Sequence, residues 1–183
     1  MNNIPSLQNP VRYRSVDIGS SEITVEKVKD CFYLRAREPL AQTPSRILDR
    51  LLHWAEVRQD QTFVAKRSSE GNWLRLSYGE MLDRVRAIAA NLLDYSLGPE
   101  RPLLILSGND LEHLQLTLAA YYIGVPVCPV SPAYSIVAKE FSKLRHILKL
   151  TSPGLVFASD GELYAKAITE EVPIVAADRK LTQ

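Results

Sequence analysis

From residue 102 onward, short continuous apolar runs alternate with helical periodicity, and this alternation constrains the fold more than any other feature. Leu103-Leu104-Ile105-Leu106 is four apolar residues in succession, the pattern of a strand covered on both faces. Asp110 to Ile123 is apolar nearly all round, which predicts a deeply packed helix ended by Gly124. Val125 to Val130 is a second strand. Its prolines, Pro126 and Pro129, remove ladder donors and make it short or put it at an edge. Ser135 to Leu150 reads as a helix with Val137, Phe141, Leu144 and Leu148 facing inward. Leu155 to Ala158 is a third strand, a helix lies near Glu162 to Ile168, and Val172 to Ala176 is a further strand. Strand–helix–strand alternation with short loops requires right-handed crossovers and therefore a parallel sheet. The expected class is α/β: part of a doubly wound, mostly parallel sheet with flanking helices and small N-terminal β-hairpins.

The earlier residues have a different texture. Ile23 to Lys27 and Cys31 to Arg35 read as a small hairpin against a larger body, within an N-terminal extension of residues 1–45 ahead of a main domain over 46–183. Thr43-Pro44 has the form of an N-cap and first helical position, and the helix behind it should bury Ile47, Leu51, Trp54 and Ala55. A second hairpin runs from Thr62 to Arg67, turns through Glu70-Gly71-Asn72, and returns over Trp73 to Leu76. Ser77-Tyr78-Gly79-Glu80 is a capping box. The helix it opens places Met81, Leu82, Val85, Ile88, Ala89, Leu92 and Leu93 on one face, with Gly98 and Pro99 in the loop behind it.

Charge and composition exclude several classes. The 183 residues carry 22 Lys+Arg against 21 Asp+Glu, so no bulk field favours nucleic acid or an anionic membrane. Hydrophobic residues make up 46%, enough for a real core and too many for a disordered chain. Cys31 and Cys128 match no paired spacing, which suits a reducing compartment. Met1 to Tyr13 lacks the apolar core of a signal peptide, and Leu114 to Val130 is interrupted by Gln115, Gly124, Pro126 and Pro129. A cytoplasmic protein with no membrane or nucleic-acid partner is the expectation.

The motifs that would carry chemistry are absent from the sequence. Glycines at 19, 71, 79, 98, 108, 124, 154 and 161 never form a GxG phosphate loop. His53, His113 and His146 stand singly, no serine occupies a GxSxG elbow, and no catalytic, cofactor-binding or metal-ligating residue is assigned. Two loops at strand C-terminal ends remain, where open parallel sheets bind ligands. Ser107-Gly108-Asn109-Asp110 could face a ligand, but Asn109 with Glu112 three residues on reads better as a helix cap. In Ser131-Pro132-Ala133-Tyr134-Ser135, a pocket-lining Tyr134 and a half-buried tyrosine in a proline-set turn fit equally well. Lys139, Lys143, Arg145 and Lys149 read as a solvated helix face. Trp54, Tyr121 and Tyr122 read as core aromatics, His113 as a structural histidine and Cys128 as inert packing.

The same two loops carry a family resemblance. Leu106-Ser107-Gly108-Asn109-Asp110-Leu111-Glu112-His113 and Pro129-Val130-Ser131-Pro132-Ala133-Tyr134-Ser135 resemble the N-terminal part of feruloyl-CoA synthases, of the adenylate-forming acyl-CoA synthetase superfamily. Tyr33-Leu34-Arg35, Leu51-Leu52-His53-Trp54-Ala55, Lys143 to Leu148 and Pro153 to Ala158 extend the likeness over residues 12–177. The resemblance implies an acid–CoA ligase using ATP, Mg²⁺ and coenzyme A on a ferulate-like carboxylate. It also implies that the family's phosphate loop and catalytic lysine lie beyond Gln183. The expectation is a fragment inactive alone, with the rest of the ligase as partner. The alternative is a non-catalytic binding module that retains the fold.

Overall fold

The computed structural model describes residues 22–172. The chain divides into two compact units, Met1–Thr43 and Pro44–Gln183. The Met1 to Tyr13 segment lies outside the described residues, as does the strand expected over Val172 to Ala176 except for Val172 itself.

The first unit contains an antiparallel hairpin, β1 (Ile23–Val28) and β2 (Cys31–Ala36), in the register Val28↔Cys31 and Ile23↔Ala36. The two-residue turn is made by Lys29 in the left-handed region (φ 54) and Asp30. Alternation puts Val25 beside Leu34 and Glu26 beside Tyr33, so one face is mainly aliphatic and the other polar and aromatic. Two exposed ion pairs, Arg35–Glu26 and Arg37–Glu22, border the hairpin and add little stability in water.

The second unit begins with α1 (Leu48–Val57). Its start corrects the expectation at Thr43-Pro44. The helix starts at Leu48, behind a turn in which the Asp49 carboxylate accepts the Arg46 backbone N–H (3.1 Å), the Ser45 hydroxyl and the Arg46 guanidinium. Leu48, Leu51 and Ala55 are buried, whereas Ile47 is exposed and Trp54 half-buried. The second hairpin follows as expected, β3 (Thr62–Arg67) and β4 (Trp73–Ser77), with Gly71 at φ +84 supplying a turn conformation that side chains resist.

α2 (Tyr78–Leu92) opens with the anticipated capping box. Ser77 Oγ accepts the Glu80 N–H (3.2 Å) and Glu80 Oε2 accepts the Ser77 N–H (2.8 Å). Met81, Leu82, Val85, Ala89 and Leu92 are buried, while Leu93, placed on that face by spacing, is exposed beyond the last turn.

β5 (Leu103–Leu106), β6 (Val127–Val130) and β7 (Leu155–Ala158) form a parallel sheet in the order β6-β5-β7. β5 is fully buried, and proline-bearing β6 flanks it. α3 (Leu111–Tyr122) links β5 to β6, and Gly124 (φ +74) ends the helix region. α4 (Ser142–Thr151) and α5 (Ala165–Glu171) complete the described elements. Leu103 and Ile105 join a core built by α1, α2 and α3, and Leu104 and Leu106 join a second core with Phe141, Leu144, Leu148, Tyr164 and Ala167. Helices therefore cover both faces, as the α/β reading requires.

Two further expectations fail here. Residues 135–141 are not helical, because Pro132–Tyr134 forms a 3₁₀ turn after β6 and α4 starts only at Ser142, so Val137 is 77% exposed. Tyr121 and Tyr122 are exposed, because the buried stripe of α3 runs through Gln115, Leu116, Leu118, Ala119 and Ala120. No helix among the described residues is long and apolar enough to cross a membrane.

Candidate functional site

Parallel register brings three loops to one edge of the sheet. Leu106, Val130 and Ala158 are paired neighbours, so the chain leaves β5, β6 and β7 on the same side. This is the edge at which open α/β sheets bind ligands.

The loop after β5 is satisfied internally. The buried Ser107 hydroxyl donates to the Gly108 carbonyl (3.0 Å), which also lies 3.0 Å from His113 Nδ1. His113 thus holds the loop, in keeping with a structural histidine. The cap of α3 is Asp110 rather than Asn109. Asp110 Oδ1 accepts the Leu111 N–H at 2.6 Å, and Asn109 is exposed. Asp110 Oδ2 also pairs with Lys66 Nζ (2.5 Å), tying this loop to β3. Burial works to raise the Asp110 carboxyl, but the bonds with Lys66, Glu112 and Leu111 hold it below the usual carboxylate range. Lys66 is raised in turn, chiefly by its bond to Asp110.

The loop after β6 is tighter. Ser131 Oγ accepts the Ala133 N–H (3.3 Å) and Pro132 occupies the first position of the 3₁₀ turn. In the loop after β7, Asp160 Oδ1 accepts the Glu162 and Leu163 N–H groups.

The side chains around the second loop enclose an open cleft of about 330 Å³, lined by Tyr134, Ser142, Lys143, His146 and Ile147. Tyr134 is half-buried, and Lys143 Nζ sits 4.9 Å from its ring centroid. Sequence reasoning placed Lys143 on a solvated face and His146 as a single scattered histidine. No spacing rule links them to Tyr134, since a 3₁₀ turn and irregular residues intervene. Arg145 instead makes a two-pronged bond to Glu171, fastening α4 to α5 (2.7 and 2.5 Å). Burial pushes the Cys128 thiol up, away from the reactive thiolate form.

Among the described residues no group of three or more His, Cys, Asp or Glu side chains is placed to hold a metal ion. Taken with the isolated glycines, the described residues do not fit ATP phosphates or Mg²⁺.

The sheet and its helices resemble those of solved adenylate-forming enzymes. Acetoacetyl-CoA synthetase from Streptomyces lividans superposes with a TM-score of 0.58 at 16% identity, over 70% of this chain and 21% of that chain. The fatty acyl-adenylate ligase from L. pneumophila, solved with acyl adenylate and pyrophosphate, gives 0.55 at 21% identity over 62% of this chain and 19% of that chain. At these identities the likeness defines the fold.

Residues 51–182 match the model of the AMP-binding enzyme family, and the chain belongs to that family. It is 35% identical over 100 residues to 4-coumarate–CoA ligase-like 9 of Arabidopsis thaliana, covering 54% of this chain and 16% of that protein. It is 29% identical over 134 residues to a salicylyl-CoA synthase / salicylate adenylyltransferase of Streptomyces sp, covering 71% of this chain and 23% of that protein. The matches thus take in less than a quarter of either relative.

Proposed function

We propose that this chain is the N-terminal portion of an aryl acid–CoA ligase of the feruloyl-CoA synthase kind. One observation carries the reading. The two strings that resemble feruloyl-CoA synthases, Ser107 to His113 and Ser131 to Ser135, occupy neighbouring loops at the ligand edge of a parallel sheet in an AMP-binding chain. The relatives named for coumarate and salicylate support an aromatic carboxylate as substrate. The complete enzyme would join carboxylate and ATP into acyl-adenylate and pyrophosphate, and coenzyme A thiol would then displace AMP to give the thioester.

What the residues described here contribute is a frame. β5 is locked at zero exposure between two cores, and the Lys66–Asp110 pair and the His113–Gly108 contact fix the loop that leaves it. Rigid support of this kind is what lets a site hold reactants in register. The groups that grip the phosphates belong to a further part of the ligase, so the chain alone is inactive.

The test supplies ferulate, ATP, Mg²⁺ and coenzyme A to the purified chain, and to the chain joined to a ligase remainder. Pyrophosphate release and feruloyl-CoA formation should occur only with the remainder. Turnover by the chain alone refutes the fragment reading. Turnover by the joined protein on aliphatic acids only refutes the aryl substrate.

A further inference from the structure

We infer that the cleft between the 3₁₀ turn Pro132–Tyr134 and α4 is a binding subsite for a small planar aromatic monoanion, a carboxylate in the first instance. The match to an aromatic acid rests on the ligase reading above, but the cleft's own chemistry selects the ligand class.

Charge comes first. Lys143 supplies an ammonium, His146 an imidazole and Ser142 a hydroxyl, and no carboxylate is among the lining side chains. One ammonium with a hydroxyl and an imidazole beside it suits one negative charge better than the two of a phosphate monoester. The Lys143 ammonium is also held near the cleft: its place 4.9 Å from the Tyr134 ring centroid limits the rotamer freedom an exposed lysine otherwise keeps. Of the two other basic residues on α4, Arg145 is committed to Glu171, and Lys149 lies in the last turn.

Shape and polarity come second. Tyr134 and Ile147 give an aromatic and an aliphatic wall, and about 330 Å³ lies at the small end of ligand-pocket volumes, enough for one ring and its acid group.

The experiment is an NMR titration of the isotope-labelled 183-residue chain with ferulate, with its neutral amide and with inorganic phosphate as separate probes. Ferulate should give saturable shifts at Tyr134, Lys143, His146 and Ile147. The Lys143→Ala variant should weaken binding roughly tenfold, the share of one charge-assisted hydrogen bond. Lys149→Ala, outside the cleft on the same helix, should leave affinity unchanged, and matching spectra establish that both variants stay folded.

Absence of saturable shifts, or shifts elsewhere on the fold, overturns the subsite. Equal binding of the amide overturns the anion requirement, and equal binding of phosphate overturns the ring requirement. Binding here without turnover by the joined ligase sinks the ligase reading alone, and turnover without binding here sinks the subsite alone.

Discussion

Val137 and Phe141 stand four residues apart, and helical spacing puts both on one inward face. The fold separates them. Phe141 is 4% exposed in the core beneath β5, whereas Val137 is 77% exposed ahead of the helix. Truncating Phe141 to alanine withdraws most of a ring from that core. At about 25 cal/mol per Å² over roughly 150 Å² of ring surface, the transfer loss is about 4 kcal/mol. Incomplete collapse of the cavity keeps the measured value within roughly 3–5 kcal/mol. Val137→Ala removes two methyl groups already in water and should stay within about 0.5 kcal/mol. Urea unfolding of the purified chain, followed by circular dichroism, measures both against the unmodified protein. A body of this size has roughly 5–15 kcal/mol in all, so Phe141→Ala should shift the midpoint far down or leave the chain partly unfolded. Equal losses for the two variants would restore the continuous helix from Ser135 and refute the packing described here.

Three other outcomes follow from local features. Ser77→Ala should cost about 1 kcal/mol of stability, and adding Glu80→Ala should cost less than the sum of the single changes, since both halves belong to one capping box. Additive losses in the same unfolding assay would contradict that reciprocity. Gly124→Ala should destabilise by about 1–2 kcal/mol through backbone strain alone, because φ is +74 and no atom lies within 4 Å of the added methyl. An unchanged midpoint would show that the turn relaxes.

Lys66→Met should lower stability at neutral pH by removing the partner of Asp110. Because the folded Asp110 carboxyl is held below its unfolded value, this contribution is present above about pH 4 and fades as pH falls through the folded value. A difference between variant and parent that persists undiminished at pH 2 would remove the ion pair as its cause.

Sequence reasoning reached furthest where one local rule decides a position. The apolar run of β5, the glycine turn at Gly71 and the Ser77–Glu80 box are each set by a few adjacent residues, and each is found as expected. It failed where long-range or competing polar contacts intervene. Asp49 gathers Ser45 and Arg46 at the start of α1, four residues beyond the Thr43-Pro44 signal. Asp110, fixed from β3 by Lys66, takes the cap that spacing offered to Asn109. The proline-set turn at Ser131–Pro132 absorbs residues that periodicity assigned to helix. Of the candidate site, the two loops were visible as strand ends, because crossover rules fix where strands finish. The cleft was not, since Lys143 and His146 meet Tyr134 only through the irregular chain between them.

The central place of β5 also has a consequence for synthesis. Its residues pair with Val127 to Val130 on one side and Leu155 to Ala158 on the other, the latter roughly fifty positions later. At about 5–20 residues per second of translation, Leu103 to Ala158 takes seconds to emerge, and through that interval four consecutive aliphatic side chains lack their second neighbour. Such a segment is a hazard for association between nascent chains. α1 and α2 emerge before β5 and can shield Leu103 and Ile105 at once, whereas the face of Leu104 and Leu106 waits for α4 and the residues around Tyr164. Polysome density, as much as temperature, should therefore set the soluble yield of this chain.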